Sequence, residues 1–288
     1  MEQKNYGFKI ENVVIKPEDY VFGSNLPLDV LNEDGDWTEY LPLYEPQAEK
    51  FETWGCTVWG SQNGLEILHK FLYDSEPNYS ERFNYIDAGI TTGGGNPHNV
   101  LESIRNTGTV DQSVLPMTET YDEFVKPKPL TSDLIEKAKD FVAKYEFKHE
   151  WIIPSDPKKM KELIKSSLRY SPIDLSVTAW YQDSSGLYVD NNEPNNHWCV
   201  AFAYRDVPEG VILKVFDSYD HSVKELSSTH SVFCAKRIWL KKKSQEEVKK
   251  WWQINTLSEL LKNIYSILSL QLRLLAIKVG FKKDGEIK

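Results

Sequence analysis

A change of hydrophobic period near residue 170 constrains this chain more than any other feature. Before it, apolar residues recur at helical spacing. From Cys56 onward, Val58, Leu65, Leu68 and Leu72 fall on one stripe, so a half-buried helix is expected from Cys56 to about Tyr73. Further helices are expected over 98–106, over 132–146 with Ser132 or Asp133 as cap, and over 156–168, where Asp156 caps and Pro157 fills the first turn. After it, Ile173, Leu175, Val177 and Ala179 alternate, as do Trp198, Val200, Phe202 and Tyr204, and then Val211, Leu213 and Val215. That is the period of strands, and a helical first half with a sheet-forming second half makes the class α+β.

The flanks differ from this body. Residues 1–44 are rich in Asn, Asp, Pro and Gly, which reads as an extended arm. Residues 244–288 return to helix, with Leu257, Leu261, Ile264, Leu268 and Leu275 on a stripe widened by Leu260, Ile267, Leu274 and Ile277. The charges of Lys262, Arg273 and Lys278 leave about ten residues between them where a bilayer span needs about twenty. The stripe is expected either to fold back on its own domain or to pack against copies of itself or a partner in a larger assembly.

With 288 residues and 40% hydrophobic content, the chain can bury the core of one large domain or two closely packed lobes. A net charge of -9 without a Lys/Arg stripe argues against a nucleic-acid partner. Three cysteines, Cys56, Cys199 and Cys234, have neither zinc-knuckle nor dithiol spacing, and the N-terminus lacks the apolar core of a signal peptide. A reducing compartment follows. No cofactor or metal is implied: Gly93-Gly94-Gly95 lacks the Lys-Ser/Thr of a phosphate cradle, and Asp34, Asp36 and Asp190 lie in no twelve-residue calcium pattern.

Thiol catalysis needs a sulfur held as thiolate, a base, a group orienting the base, and donors for an oxyanion. Cys56, in Trp54-Gly55-Cys56-Thr57-Val58-Trp59, falls at the expected helix start, where unpaired N–H groups favour an anionic sulfur. Gln47, nine residues upstream, has a side-chain N–H to offer an oxyanion. His197, at the mouth of a strand, is the candidate base, and Asp217, at the end of the next strand, the candidate orienting acceptor. Cys199 and Cys234 lie in apolar alternating stretches and read as core thiols, and His69, His98, His149, His221 and His230 as surface or core residues.

The order Gln47, Cys56, the Gly93–Gly95 stretch, His197 and Asp217 resembles the papain and cathepsin family over roughly residues 45–240. The resemblance implies a two-lobed fold, with a helical lobe over 45–150, a β-rich lobe over 151–243 and the site in the cleft between them. It implies a cysteine peptidase acting on protein or peptide substrates through an acyl-enzyme. Gly93, Gly94 and Gly95 would then pair with substrate backbone, Trp198 would narrow the pocket for the side chain before the scissile residue, and Tyr219 would stand where the family has a tryptophan shielding the His and its acceptor. Asp217 replaces the family's Asn; a carboxylate also accepts from an imidazole N–H and stabilises the imidazolium more strongly. Segments 78–83, 102–106 and 215–219 are similar to divergent members encoded by tailed bacteriophages, which implies a host cytoplasm or a virion as location. The same machinery leaves two alternatives open, a cell-wall peptide amidase and a structural protein of a virus particle with the site unused.

Overall fold

The computed structural model describes residues 6–16, 19–23, 26–191, 193–219 and 223–278. Helix α1 (Cys56–Tyr73) starts where the sequence places it, yet it is buried on every face from Cys56 through His69 rather than on one stripe. The cause is that helices α2 (Glu81–Asp87) and α3 (Pro97–Asn106) pack on the side that the sheet leaves free. Polar side chains on the enclosed faces find internal partners: Gln62 Nε2 donates to Asn84 Oδ1 at 2.6 Å, and Glu66 Oε1 accepts from Tyr79 N at 2.8 Å.

Local capping sets the smaller helices. Ser80 caps α2 by accepting from Phe83 N, and Asn96 caps α3 with Pro97 in its first turn. The short helix α4 (Tyr121–Phe124) follows, then α5 (Ser132–Lys144), whose cap is Thr131, one residue before Ser132 and two before Asp133, the expected caps. A turn of 3₁₀ helix capped by Asp156 leads into α6 (Met160–Ser167).

Strand β1 (Tyr145–Ile152) begins directly at the end of α5, inside the region expected to be helical. It is an edge strand of a six-stranded antiparallel sheet completed by β2 (Ile173–Val177), β3 (His197–Val207), β4 (Gly210–Phe216), β5 (Val223–Leu226) and β6 (Ala235–Lys242), in the order β1-β6-β2-β3-β4-β5. All five residues of β2 are buried, including Asp174 and Ser176, because this central strand is covered on both faces.

Part of the N-terminal arm is built into this body. Trp37 is fully buried, donates from its indole to Leu168 O at 2.8 Å and meets Phe71 of α1 edge-on. The chain divides into a unit Met1–Lys242 and a unit Lys243–Lys288. The second carries helix α7 (Gln245–Lys278), where Leu257, Leu261, Ile264 and Leu268 are exposed; the side chain of Leu275 lies outside the described residues. Among the described residues no helix is long and apolar enough to cross a membrane.

Glu66 yields a test of this packing. Burial raises its carboxyl to about 8, against the Tyr79 N–H, with Glu45 adding to the rise. The stability associated with its protonated form is full below about pH 4.5 and is lost as the pH climbs through about 8. Glu66→Gln should therefore flatten the fall of Tm between these limits and raise Tm at pH 8 by roughly 2–4 °C. Parallel Tm curves for the two proteins would show that burial of Glu66 carries no such cost.

Candidate active site

The antiparallel register of β3 and β4, with Val200 opposite Phe216, brings the start of one strand beside the end of the other. His197 and Asp217 meet there, Nε2 to Oδ1 at 2.5 Å, with both side chains inaccessible to solvent. The second carboxylate oxygen of Asp217 accepts from Lys224 Nζ of β5 at 2.7 Å. Burial alone would raise the Asp217 carboxyl, but the His197 ring and the Lys224 ammonium outweigh it and hold the group below its ordinary value. His197 Nδ1 has no hydrogen-bond partner among the described residues, so it is the ring nitrogen left for a thiol.

Cys56 is the first residue of α1, and its sulfur lies against the backbone N–H of Trp198, the residue after His197. Burial pushes the thiol well above its usual value; the N–H groups of Trp198 and Thr57 oppose this, while Asp217 and Glu52 add to it. Gln47 is buried nearby with its orientation fixed. Its side-chain oxygen accepts from Ser218 Oγ at 2.9 Å, which turns the amide nitrogen toward Tyr6 O at 3.2 Å and Glu52 Oε1 at 3.3 Å. The nine-residue interval between Gln47 and Cys56 is taken up by a folded loop: Thr53 Oγ1 donates to Gln47 O, Glu52 accepts from Trp54 N, and Trp54 has a φ of 53°.

The peptide carbonyl beside Gln47 belongs to the protein's own arm. Tyr6 sets its ring edge-on to His197 at 5.3 Å and to Tyr219 at 4.9 Å. Gly7 O accepts from Gly95 N at 2.8 Å, and Phe8 bridges Gly95 in parallel while stacking on Trp198 at 5.6 Å. Phe8, Cys56, Trp151, Trp198 and Cys234 form one buried apolar cluster, with Ile10 and Val13 packed on it. Gly7 makes this path possible: its φ is +109°, and a Cβ there would lie 2.0 Å from Trp54 O.

The five other expected site residues, and the remaining cysteines and histidines, sort as follows. Gly94 and Gly95 lie against the arm, whereas Gly93 closes a turn on Thr91. Trp198 is fully buried between Phe8 and α1, and Tyr219 flanks the His197 ring at 6.3 Å while donating from its hydroxyl to Glu52 Oε2 at 2.7 Å. Cys199 and Cys234 are buried thiols, the second pushed up to about 12 by burial. His69 bonds Tyr145, and His149 lies between Glu102 and Lys236; His221 lies outside the described residues. Among the described residues no group of His, Cys, Asp and Glu is arranged to hold a metal ion.

Sequence reasoning missed Tyr6, Gly7, Phe8, Glu52 and Lys224. Lys224 left a usable trace, since it shares a strand face with Leu226 and a lysine on an apolar face needs a buried partner. A glycine between two aromatic residues at 6–8 was a weaker one.

No protein-family model and no curated protein matches the chain. Solved structures do. Digestive procathepsin L 3 of the Tenebrio molitor larval midgut aligns at 15% identity and TM-score 0.54, over 81% of this chain and 76% of that one. The cysteine protease and lectin-like domains of Cwp84, a surface layer associated protein of Clostridium difficile, align at 13% identity and TM-score 0.55, over 72% and 51%. Bromelain protease of Ananas comosus in complex with the E64 inhibitor aligns at 15% identity and TM-score 0.51, over 72% and 98%. The fold is that of the papain-like cysteine proteases, with an added C-terminal helix.

With all three thiols buried and raised by burial, the native protein should react with a small aromatic disulfide reagent far more slowly than its denatured form, which should titrate all 3 cysteines. One rapid equivalent from the untreated native protein would mean that Cys56 is not covered in solution.

Proposed function

We propose that this protein is a papain-like cysteine peptidase held latent by its own N-terminal arm. The observation that supports the reading is a peptide carbonyl, that of Tyr6, lying beside the Gln47 amide while the Tyr6 ring meets His197, itself bonded to Asp217, and Cys56 lies against the N–H of the residue after His197. When the arm leaves, water and substrate reach Cys56. His197 Nδ1 takes the thiol proton, the sulfur attacks a peptide carbonyl, and the Gln47 amide with N–H groups at the start of α1 stabilises the oxyanion. The leaving amine takes the proton from His197, and a water activated by the same ring hydrolyses the thioester. Trp198, Trp151 and Cys234, which enclose Phe8, suit a large apolar substrate side chain, and Gly94 and Gly95 suit its backbone.

The bonded His197–Asp217 pair and the engaged Gln47 amide favour a working site over an unused one. Strain supplies the test. A side chain at Gly7 adds an unfavourable φ and a clash with Trp54 O, of order 1–3 kcal/mol or more against the seated arm. Gly7→Ala in the full chain should raise the rate of a single epoxysuccinyl addition at Cys56 by about ten-fold or more, since each 1.4 kcal/mol is ten-fold. Adding His197→Ala should abolish the reaction with the protein still folded. An unchanged rate in Gly7→Ala would remove the arm from control, and labelling that ignores His197 would overturn the peptidase reading.

Association with the virion of a tailed phage is the finer part of the proposal. Support comes from segments 78–83, 102–106 and 215–219 and from the exposed stripe of α7, which suits self-association or docking. Leu257→Ser with Leu261→Ser should lower the mass measured by light scattering while sparing the Cys56 site. A monomeric wild-type chain at high concentration would exclude self-association.

A further inference from the structure

We infer that Lys224 is a positioning residue of the catalytic array, which neutralises Asp217 so that His197 is oriented by an acceptor pair of zero net charge. The inference rests on the peptidase reading and explains how a carboxylate serves where papain-like proteins have an amide.

The argument is one of charge in a dry site. His197, Asp217 and Lys224 have no side-chain exposure, and Lys224 Nζ is held by Asp217 Oδ2 at 2.7 Å, by Tyr219 O at 2.5 Å, and over the rings of Trp180 at 5.0 Å and Tyr188 at 5.7 Å. Once Cys56 has passed its proton to His197, thiolate and imidazolium cancel, and Asp217 and Lys224 cancel. Without Lys224 the same site would hold a net negative charge away from water, which buried sites resist strongly. The unbalanced carboxylate would act on both partners at once, retaining the proton on His197 and repelling the sulfur anion. Asp217 already acts against the Cys56 thiolate, and at Cys199 the effects of Asp217 and Lys224 oppose each other. Among the described residues, the other titratable groups facing the site are Tyr6 from the arm, Tyr219 after β4, Glu52, bonded to Tyr219, Tyr188, whose ring lies 5.7 Å from Lys224 Nζ, and the buried Cys199 thiol; none changes in the variants below.

The experiment uses the full-length chain. The pH profile of Cys56 alkylation by chloroacetamide, located by peptide mass, is compared with ¹⁵N NMR titration of the His197 ring in wild type, Lys224→Met, Lys224→Arg, Asp217→Asn and the Lys224→Met/Asp217→Asn pair. Lys224→Met should move both titrations to higher pH by about one unit or more, and Asp217→Asn should move them to lower pH because the ammonium is then unbalanced. The double variant should return close to the wild-type profile, and Lys224→Arg should stay near it. A lysine with a merely structural role would lower Tm and leave both profiles in place, and that result overturns the inference. If Lys224→Met does not fold, the shift in Asp217→Asn and its reversal in the double variant decide, and no reversal refutes. Alkylation of Cys56 that is independent of His197 would instead sink the peptidase reading, while the ring titration still reports on Lys224.

Discussion

The close approach of α1 to the sheet is the constraint on which the site depends. Two glycines one helical turn apart make it possible. A Cβ at Gly60 would lie 2.8 Å from Trp198 Cδ1, and one at Gly64 would lie 2.5 Å from Asp174 Oδ1. At that spacing the first residue of the helix, Cys56, reaches the backbone N–H of Trp198, and with it the strand that begins at His197. A wider gap would separate Cys56 from the strand that begins at His197. The enclosure of α1 follows from the same packing, and so does the need for Gln62 and Glu66 to find partners inside the fold.

Charge is arranged in this site as tightly as volume. His197, Asp217 and Lys224 form a chain of donors and acceptors in a region closed to solvent, and each carries a group that would be costly to bury alone. The arm completes the closure. Phe8 shares a buried apolar cluster with Cys56, Tyr6 covers His197, and the backbone carbonyls of Tyr6 and Gly7 meet Gln47 and Gly95. With the arm seated, the surroundings favour a neutral thiol, because burial is the largest influence on Cys56. Hydration of the site would reverse that influence.

Several elements were legible because their causes are local. The start of α1 and its length follow from apolar spacing after Cys56, the cap Asp156 from a side-chain acceptor before a proline, and β2, β3 and β4 from alternation. Strand β1 was not legible. It follows α5 with no breaker, and its extended form is fixed by pairing with β6, some ninety residues away. The burial of all sides of α1 was hidden for a similar reason, since a periodic stripe reports the apolar face and is silent about polar residues that find partners elsewhere.

By itself the sequence determined the class of the fold and the order of Gln47, Cys56, His197 and Asp217, because period and order are properties of the chain that no later packing alters. Only the tertiary structure decided which groups share the site with them. Lys224 enters because strand β5 pairs beside β4, and Tyr6, Gly7 and Phe8 enter because a backbone without a Cβ threads between Trp54 and Gly94. Such neighbours are set by register and close approach across long stretches of chain, and a linear pattern holds no distance between residues that meet only after folding.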